Sequence, residues 1–347
     1  MPAGADTLHL RGVGLLTLLS TPNRTFRRVR FQHLIRQNER RCPTAPPFVF
    51  LAAGVITCGI RIDAQVKHVS AVSRFYVRWG FFGMLLALVV VLYLALAAYL
   101  YVRQRAFIYF PDVRRPVAAD THIQGLREVV LTATDGLHLL AWYVPPAPGG
   151  STVLYFHGNG GNIADRAQRL AMFVNAGYGV LMPEYRGYGG NPGAPSEEAL
   201  LRDAQVALEF LHDQSLDDMA IVIYGESLGS GVAVAVAGGR PLQALILDAP
   251  YTSIGAIAAK QFFYMPVSWM LKDTFDSLSR ITDVRAPLLV IQGARDGVIP
   301  PALGRQLFDK ASEPKALWTD PEGNHSDLLE RGGLKVVLDF LAQHGPH

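Results

Sequence analysis

The stretch IVIYGESLGSGVAVAVAG (Ile221–Gly238) sets an apolar run against a tight Gly-Glu-Ser-Leu-Gly and a tail of small residues. A serine hydroxyl is a weak nucleophile until a base takes its proton. On a sharp turn between strand and helix, Ser227 would expose its oxygen and aim the next N–H, that of Leu228, at the same point. Such a turn is crowded, and glycines two residues before and after relieve it. Gly225 and Gly229 stand there. Alone, the pentapeptide is equally what a small-residue bend before a buried helix would give. Three other segments change that balance. His157–Asn162 reads HGNGGN, Asp296 lies in ARDGVIP, and His325 lies in EGNHSD. A single loop histidine is ordinarily solvated, and Arg-Asp-Gly-Val is an ordinary surface turn. Together with Ser227 they supply a base, an orienting carboxylate and an anion-binding loop, the set that acyl transfer needs.

These groups need elements that bring them together. REVVLTATDGLHLLAWYVPP reads as a hairpin turning at Asp135-Gly136. TVLYF, YGVLMPEY, AIVIYG, LQALILDAP, PLLVIQG and KALWTDP read as apolar strands. Between them lie helical stretches such as IADRAQRLAMFVNAG, closed by Gly177, and SEEALLRDAQVALEFLHD, opened by Ser196. Strands alternating with helices predict a mostly parallel sheet covered on both faces. Ligands of such sheets bind beyond the carboxyl ends of the strands. Each reactive segment comes directly after a strand.

Ahead of this lies a different texture. Trp79–Val102 is 24 residues without a charge, flanked by Arg74, Arg78, Arg103 and Arg105. About 20 apolar residues cross a bilayer as a helix, and Trp79, Tyr99 and Tyr101 sit where rings favour the interface. A single-pass membrane helix over Trp79–Val102 is therefore expected, rather than a buried core helix. ALA at Ala95–Ala97 resembles a signal-peptidase site, but the apolar run continues past it, which favours an uncleaved anchor.

The net charge of +3 is unevenly spread. Residues 1–78 hold eleven Arg and one Lys against three carboxylates, a balance of +9, which leaves −6 on the rest. Arg24–Arg41 packs seven arginines into 18 positions, an anion-attracting patch with no nucleic-acid recognition motif. Residues 1–78 read as an Arg-rich extension, either disordered or preceding the true start of the chain, and no nucleic-acid partner is expected. If these arginines are present they hold the N-terminus in the cytoplasm and export the remainder of the chain. Cys42 and Cys58 are the two cysteines, so residues 79–347 have no thiol chemistry.

From about Phe107 onward the chain resembles the α/β-hydrolases. LYFHGNGGN, PEYRGYGGNPGAPSE, IYGESLGSGVA, LDAPYTS, FDSLSRI, PLLVIQGARDGVIP and GNHSD carry the resemblance, in that order. The apolar segment followed by RAFIYFPD is similar to the membrane-anchored branch with serine aminopeptidase-like domains, whose relatives include protein depalmitoylases and lysophospholipases. The resemblance implies an α/β-hydrolase fold over residues 103–347 with a short lid around 251–285. It implies Ser227 as nucleophile, His325 as base and Asp296 as its orienting acid. The N–H groups of Asn159 and Leu228 would form the oxyanion hole, with Gly158 and Gly160 letting the loop approach. His157 takes a structural role, and Asp248 is the second choice for the acid. Glu184 stands where the family pattern has Asp. A serine at the elbow excludes the dehalogenase and epoxide-hydrolase branches, which use Asp. No cofactor is implied, and no metal-ligand spacing is present.

The expected function is hydrolysis of acyl esters or thioesters at a membrane through an acyl-enzyme. The lid segment QFFYMPVSWML (Gln261–Leu271) reads either as a helix packed on the core or as one wall of an acyl-chain groove. The alternatives are an aminopeptidase-like activity, which needs an acidic site for a substrate amino terminus, and a non-catalytic scaffold at the membrane.

Overall fold

In a computed structural model of the chain, the backbone of residues 50–345 and the side chains of residues 72–345 are described. The Arg24–Arg41 patch and Cys42 lie outside these residues, as does the side chain of Cys58. The first helix, α1, runs Phe50–Arg103. The expected boundary of an extension at residue 78 is thus no boundary of secondary structure. Arginine is a good helix former, so Arg74 and Arg78 mark a change of charge without interrupting the backbone. Within α1, Val72–Arg103 is long and apolar enough to cross a membrane, with an 18-residue window of mean hydropathy 2.7 and none of that window buried. Its 32 residues would extend about 48 Å, beyond the ~30 Å of a hydrocarbon core.

The second compact unit, from Leu85 onward, is built on one eight-stranded sheet. Its strands are β1 (Arg127–Thr132), β2 (His138–Val144), β3 (Thr152–Phe156), β4 (Gly179–Pro183), β5 (Ile221–Glu226), β6 (Ala244–Asp248), β7 (Leu288–Gly293) and β8 (Lys315–Asp320). They lie in the order β8-β7-β6-β5-β3-β4-β2-β1. All pairs are parallel except β1 with β2 and β2 with β4. The β1–β2 turn closes as the Asp135-Gly136 dipeptide predicts, with Gly136 at φ 81° and Ala133 N–H on the Leu137 carbonyl.

Helices α2 (Ala167–Asn175), α3 (Glu197–Asp213), α4 (Leu228–Ala237), α5 (Ile254–Gln261), α6 (Pro301–Lys310) and α7 (Leu334–Gln343) cover the sheet. Ser196 caps α3 by accepting from Ala199 N–H, and Glu197 and Glu198 lie in its first turn, where the helix dipole favours negative charge. Strands β3 to β7 are buried along their whole length, which is why they read as unbroken Val/Ile/Leu runs rather than alternating ones. Alternate residues feed two separate cores, one on each face: Leu154, Phe156 and Ile223 on one side, Val153, Tyr155 and Tyr224 on the other.

The chain runs from β3 outward to β4 and returns to the opposite flank of β3 as β5. The loops after β3 and β5 therefore diverge at a switch point, where open α/β sheets place their ligands. In register, Phe156 of β3 faces Gly225 of β5, so His157–Asn162 and the Ser227 turn begin side by side.

Candidate active site

Ser227 sits between β5 and α4 at φ 51°, ψ −116°, a left-handed conformation that costs a non-glycine residue roughly 1–3 kcal/mol. The turn is held on both sides. Ser227 N–H donates to the Asp248 carbonyl at 2.8 Å, and its own carbonyl accepts from Ser230 N–H and Ser230 Oγ. The flanking glycines are required by clearance. A Cβ on Gly225 would lie 2.6 Å from Ala233 Cβ, and one on Gly229 would collide with the Phe156 carbonyl. A Cβ on Gly158 would also be confined, 3.1 Å from Glu226 Oε1 and 3.5 Å from Ser227 Cβ. Gly160 differs from expectation. Nothing lies within 4 Å of a Cβ built there, so this glycine is not needed for the approach of the loop.

The predicted partners converge on the serine. His325 Nε2 is 2.9 Å from Ser227 Oγ, and His325 Nδ1 is 2.7 Å from Asp296 Oδ2. A carboxylate can only accept, so Nδ1 carries the proton and Nε2 is left to accept from the serine. Asp296 is fixed by its other oxygen, which accepts from Val298 and Ile299 N–H at 2.8 Å each. The His325 loop is held by Asn324 N–H on Asp327 Oδ1 and Arg295 N–H on the Gly323 carbonyl. Asp296 and His325 lie after β7 and β8, adjacent parallel strands in register, which places the two loops next to each other.

The loop after β3 is pinned from the opposite side. Phe110–Pro111 pairs in parallel with Gly160–Gly161. The Asn159 side chain donates to the Ile108 carbonyl, while the Asn159 main-chain carbonyl accepts from Phe110 N–H and Tyr188 Oη–H. His157 is fully buried and takes partners outside the triad. Its Nε2 lies 3.1 Å from Glu184 Oε1 and its Nδ1 2.8 Å from the Gly158 carbonyl. Glu184 Oε2 also accepts from Ile163 N–H, so this residue braces the loop at both ends.

Asp248, the second candidate acid, is engaged elsewhere. Its Oδ2 accepts from Tyr224 Oη–H at 2.7 Å and from Arg169 at 3.3 Å, while Oδ1 is buried without a hydrogen bond. It belongs to a buried network that sequence reading missed. Glu226, the residue before the serine, accepts from Tyr155 Oη–H (2.7 Å) and Arg166 (3.0 Å), with Arg169 at 3.4 Å. Arg166 also donates to the Gly160 carbonyl (2.7 Å), and Arg169 to the Ser326 carbonyl (2.6 Å). Two guanidiniums thus tie the Ser227 turn, the loop after β3 and the His325 loop together.

Burial alone would raise the Glu226 carboxyl, but Arg166 and Arg169 outweigh it and hold it at about 2. At Asp248 burial wins over Arg169, with Glu226 adding repulsion, and the carboxyl is pushed up to about 6. The available signal was periodic. Tyr224 and Glu226 alternate on one strand face, and Arg166 and Arg169 are three apart on the chain that crosses it.

Ser227, Leu228 and Asn159 line a cavity of about 370 Å³. Its walls are mostly apolar, among them Phe107 and Ile108, Ile254 and Ile257 of α5, and Met265, Met270 and Leu271 of the segment that follows α5. Leu100, Tyr101 and Gln104, at the end of α1 and just after it, also line it. Gln261–Leu271 is not one helix on the core. It breaks after α5 into turns and the short helix Val267–Met270, burying Met265 while leaving Phe263 and Trp269 84% and 89% exposed.

Residues 148–280 match the family model described as serine aminopeptidase, S33. An uncharacterized protein of Mycobacterium tuberculosis is 40% identical over 263 residues, covering 74% of this chain and 93% of that one. The alpha/beta hydrolase domain-containing protein WAV2 of Arabidopsis thaliana is 30% identical over 244 residues, covering 63% and 79%. Among solved structures, an esterase of Pyrococcus furiosus superposes with a TM-score of 0.56 at 18% identity, over 69% of this chain and 98% of that one. An alpha-beta hydrolase of Vibrio vulnificus gives 0.55 at 22% identity, over 65% and 88%. The fold, the strand order and these relatives agree: the chain belongs to the α/β-hydrolase superfamily and is a hydrolase.

Proposed function

We propose that this chain is a membrane-anchored serine hydrolase that cleaves acyl esters or thioesters through Ser227, His325 and Asp296. The observation that carries the reading is the unbroken Ser227–His325–Asp296 hydrogen-bonded relay opening on an apolar cavity. Ser227 Oγ attacks the acyl carbon as His325 Nε2 takes its proton. Leu228 and Asn159 N–H groups hold the oxyanion. The tetrahedral species expels the alcohol or thiol, which leaves with the proton from His325. Water, deprotonated by His325, then attacks the acyl-enzyme and releases the acid, returning the proton to Ser227. Asp296 keeps the imidazole in the reactive tautomer and stabilises its cation. Val72–Arg103 would anchor the chain in a bilayer.

A peptidase reading calls for a carboxylate in the pocket to hold a substrate amino terminus. Among the described residues that line the cavity there is neither Asp nor Glu. The test is hydrolysis of p-nitrophenyl esters from acetyl to palmitoyl by the full chain in detergent, with Ser227→Ala beside it. The expected result is turnover that rises with chain length and falls at least about 10³-fold in the variant. A folded wild-type chain without turnover at any length would turn the reading to the peptidase or to a non-catalytic scaffold.

A further inference from the structure

The lid carries a surface that catalysis does not use. Gln261–Leu271 contains no charged residue, and Lys260 and Lys272 close it at either end. Its most exposed side chains are Phe263 and Trp269, with Tyr264 at 48% exposure. None of these three lines the cavity, while their neighbours Phe262, Met265 and Met270 do. The segment thus has an apolar inner wall facing the reaction and an aromatic outer face left open by the described residues.

Its position along α1 says what that outer face meets. Tyr93 Oη–H donates to the Tyr264 carbonyl at 3.1 Å. Tyr93 is ten residues before Arg103, about 15 Å along the helix axis, well inside the uncharged stretch that ends at Val102. Nearer the charged end, Gln104 reaches the Met270 carbonyl and receives Lys272 N–H, Arg105 forms a two-point pair with Asp273, and the Lys272 ammonium lies 4.5 Å from the Tyr101 ring. The lid therefore runs beside α1 from its charged end to mid-span, its lysine at the level where interfacial cations sit. Backbone in hydrocarbon needs internal partners. Met265, Val267, Trp269 and Leu271 N–H groups bond within the segment, Phe262 N–H donates to the Ala258 carbonyl of α5, Pro266 has no N–H, and the Tyr264 carbonyl has Tyr93.

Resting on the reading of α1 as a membrane span, we infer that the lid around Phe263–Trp269 is immersed in the leaflet next to Arg103. The occupant of its aromatic face is lipid hydrocarbon. The cavity then opens to the bilayer core beside α1, and the substrate is a long acyl chain already dissolved in that leaflet, entering sideways rather than from water.

The test places a fluorophore on single cysteines of the full chain in phosphatidylcholine–phosphatidylglycerol vesicles, after Cys42→Ala and Cys58→Ala. The probed variants are Phe263→Cys, Trp269→Cys, Val90→Cys within α1, and Met219→Cys in the turn just before β5, at the opposite end of the sheet. Lipids brominated on their acyl chains should quench at 263, 269 and 90 several-fold more than at 219. Quenching at 90 with 263 and 269 no different from 219 overturns the inference while leaving the anchor standing. No quenching at 90 removes the anchor reading and the inference with it. A second readout is activity in the same vesicles. Phe263→Glu with Trp269→Glu should lower hydrolysis of a vesicle-borne palmitoyl ester about tenfold or more while leaving p-nitrophenyl acetate hydrolysis within about twofold. Retention of both rates, or an equal fall in both, overturns it.

Discussion

Glu226→Gln is the most informative single change, because it keeps the shape of the buried network and removes one charge. Glu226 lies 6% exposed between Arg166 and Arg169, its carboxyl held at about 2 against an ordinary 4.5. That difference corresponds to about 3 kcal/mol of stability at pH 7. The depressed value sets the sign. The contribution is complete above the unfolded-state pKa and is lost as pH falls toward 2, so that under half remains near pH 3. Part is offset in the variant, since Glu226 repels Asp248 and its removal relieves that carboxyl. The expected net destabilisation is about 2–3 kcal/mol, or a melting point lowered by roughly 5–10 °C for a domain of this size. The assay is thermal unfolding of both proteins in detergent across pH 3 to 8. Because Arg166 also holds the Gly160 carbonyl, kcat should fall about tenfold with KM nearly unchanged, a fraction of the 10²–10³ lost with a whole oxyanion donor. A stability difference near zero at pH 7, or one that does not shrink toward pH 3, would refute the account of the network.

Asp296→Asn should lower kcat by about 10³–10⁴-fold, whereas Asp248→Asn should leave it within a few-fold, a comparison read directly from ester hydrolysis. Asp248 has the opposite pH signature to Glu226. Its carboxyl is raised to about 6, so the folded state favours the proton, and that advantage disappears as pH rises from 4 through 6. Asp248→Asn should therefore gain stability relative to wild type over that range, by up to about 3 kcal/mol, measured by urea unfolding at pH 4.5 and 7.5. Gly229→Ala should prevent folding or cost several kcal/mol, because its Cβ meets the Phe156 carbonyl, while Gly160→Ala should melt within about 1 kcal/mol of wild type.

The convergence of Ser227, His325 and Asp296 was legible because each comes after an apolar strand, and parallel strands deliver their loops to one end of the sheet. Phe156 and Gly225 illustrate this: two residues at strand ends, 69 apart in sequence, become register partners. The charge network was not legible in the same way. Tyr155, Glu226, Asp248 and Arg169 come from four elements, and which of them meet depends on strand order and on which face each residue takes. Gly160 departs from expectation for a related reason, since a sequence does not distinguish a glycine whose Cβ would collide from one facing open space. The segment Gln261–Leu271 shows the limit of composition. An aromatic run is the same signal for a core helix and for an exposed segment, and Pro266 was the one local hint that Gln261–Leu271 would not continue α5.

Leu100, Tyr101 and Gln104 form part of the wall around Ser227. The end of the hydrophobic helix is therefore part of the cavity itself. A version trimmed to begin at Arg105 would retain the relay of Ser227, His325 and Asp296 but lack one side of the cavity. Replacing the helix with an unrelated apolar sequence would do the same. Chain-length selectivity measured on either would belong to the engineered molecule, and substitutions at these three positions would alter substrate preference from outside any boundary drawn around the globular domain.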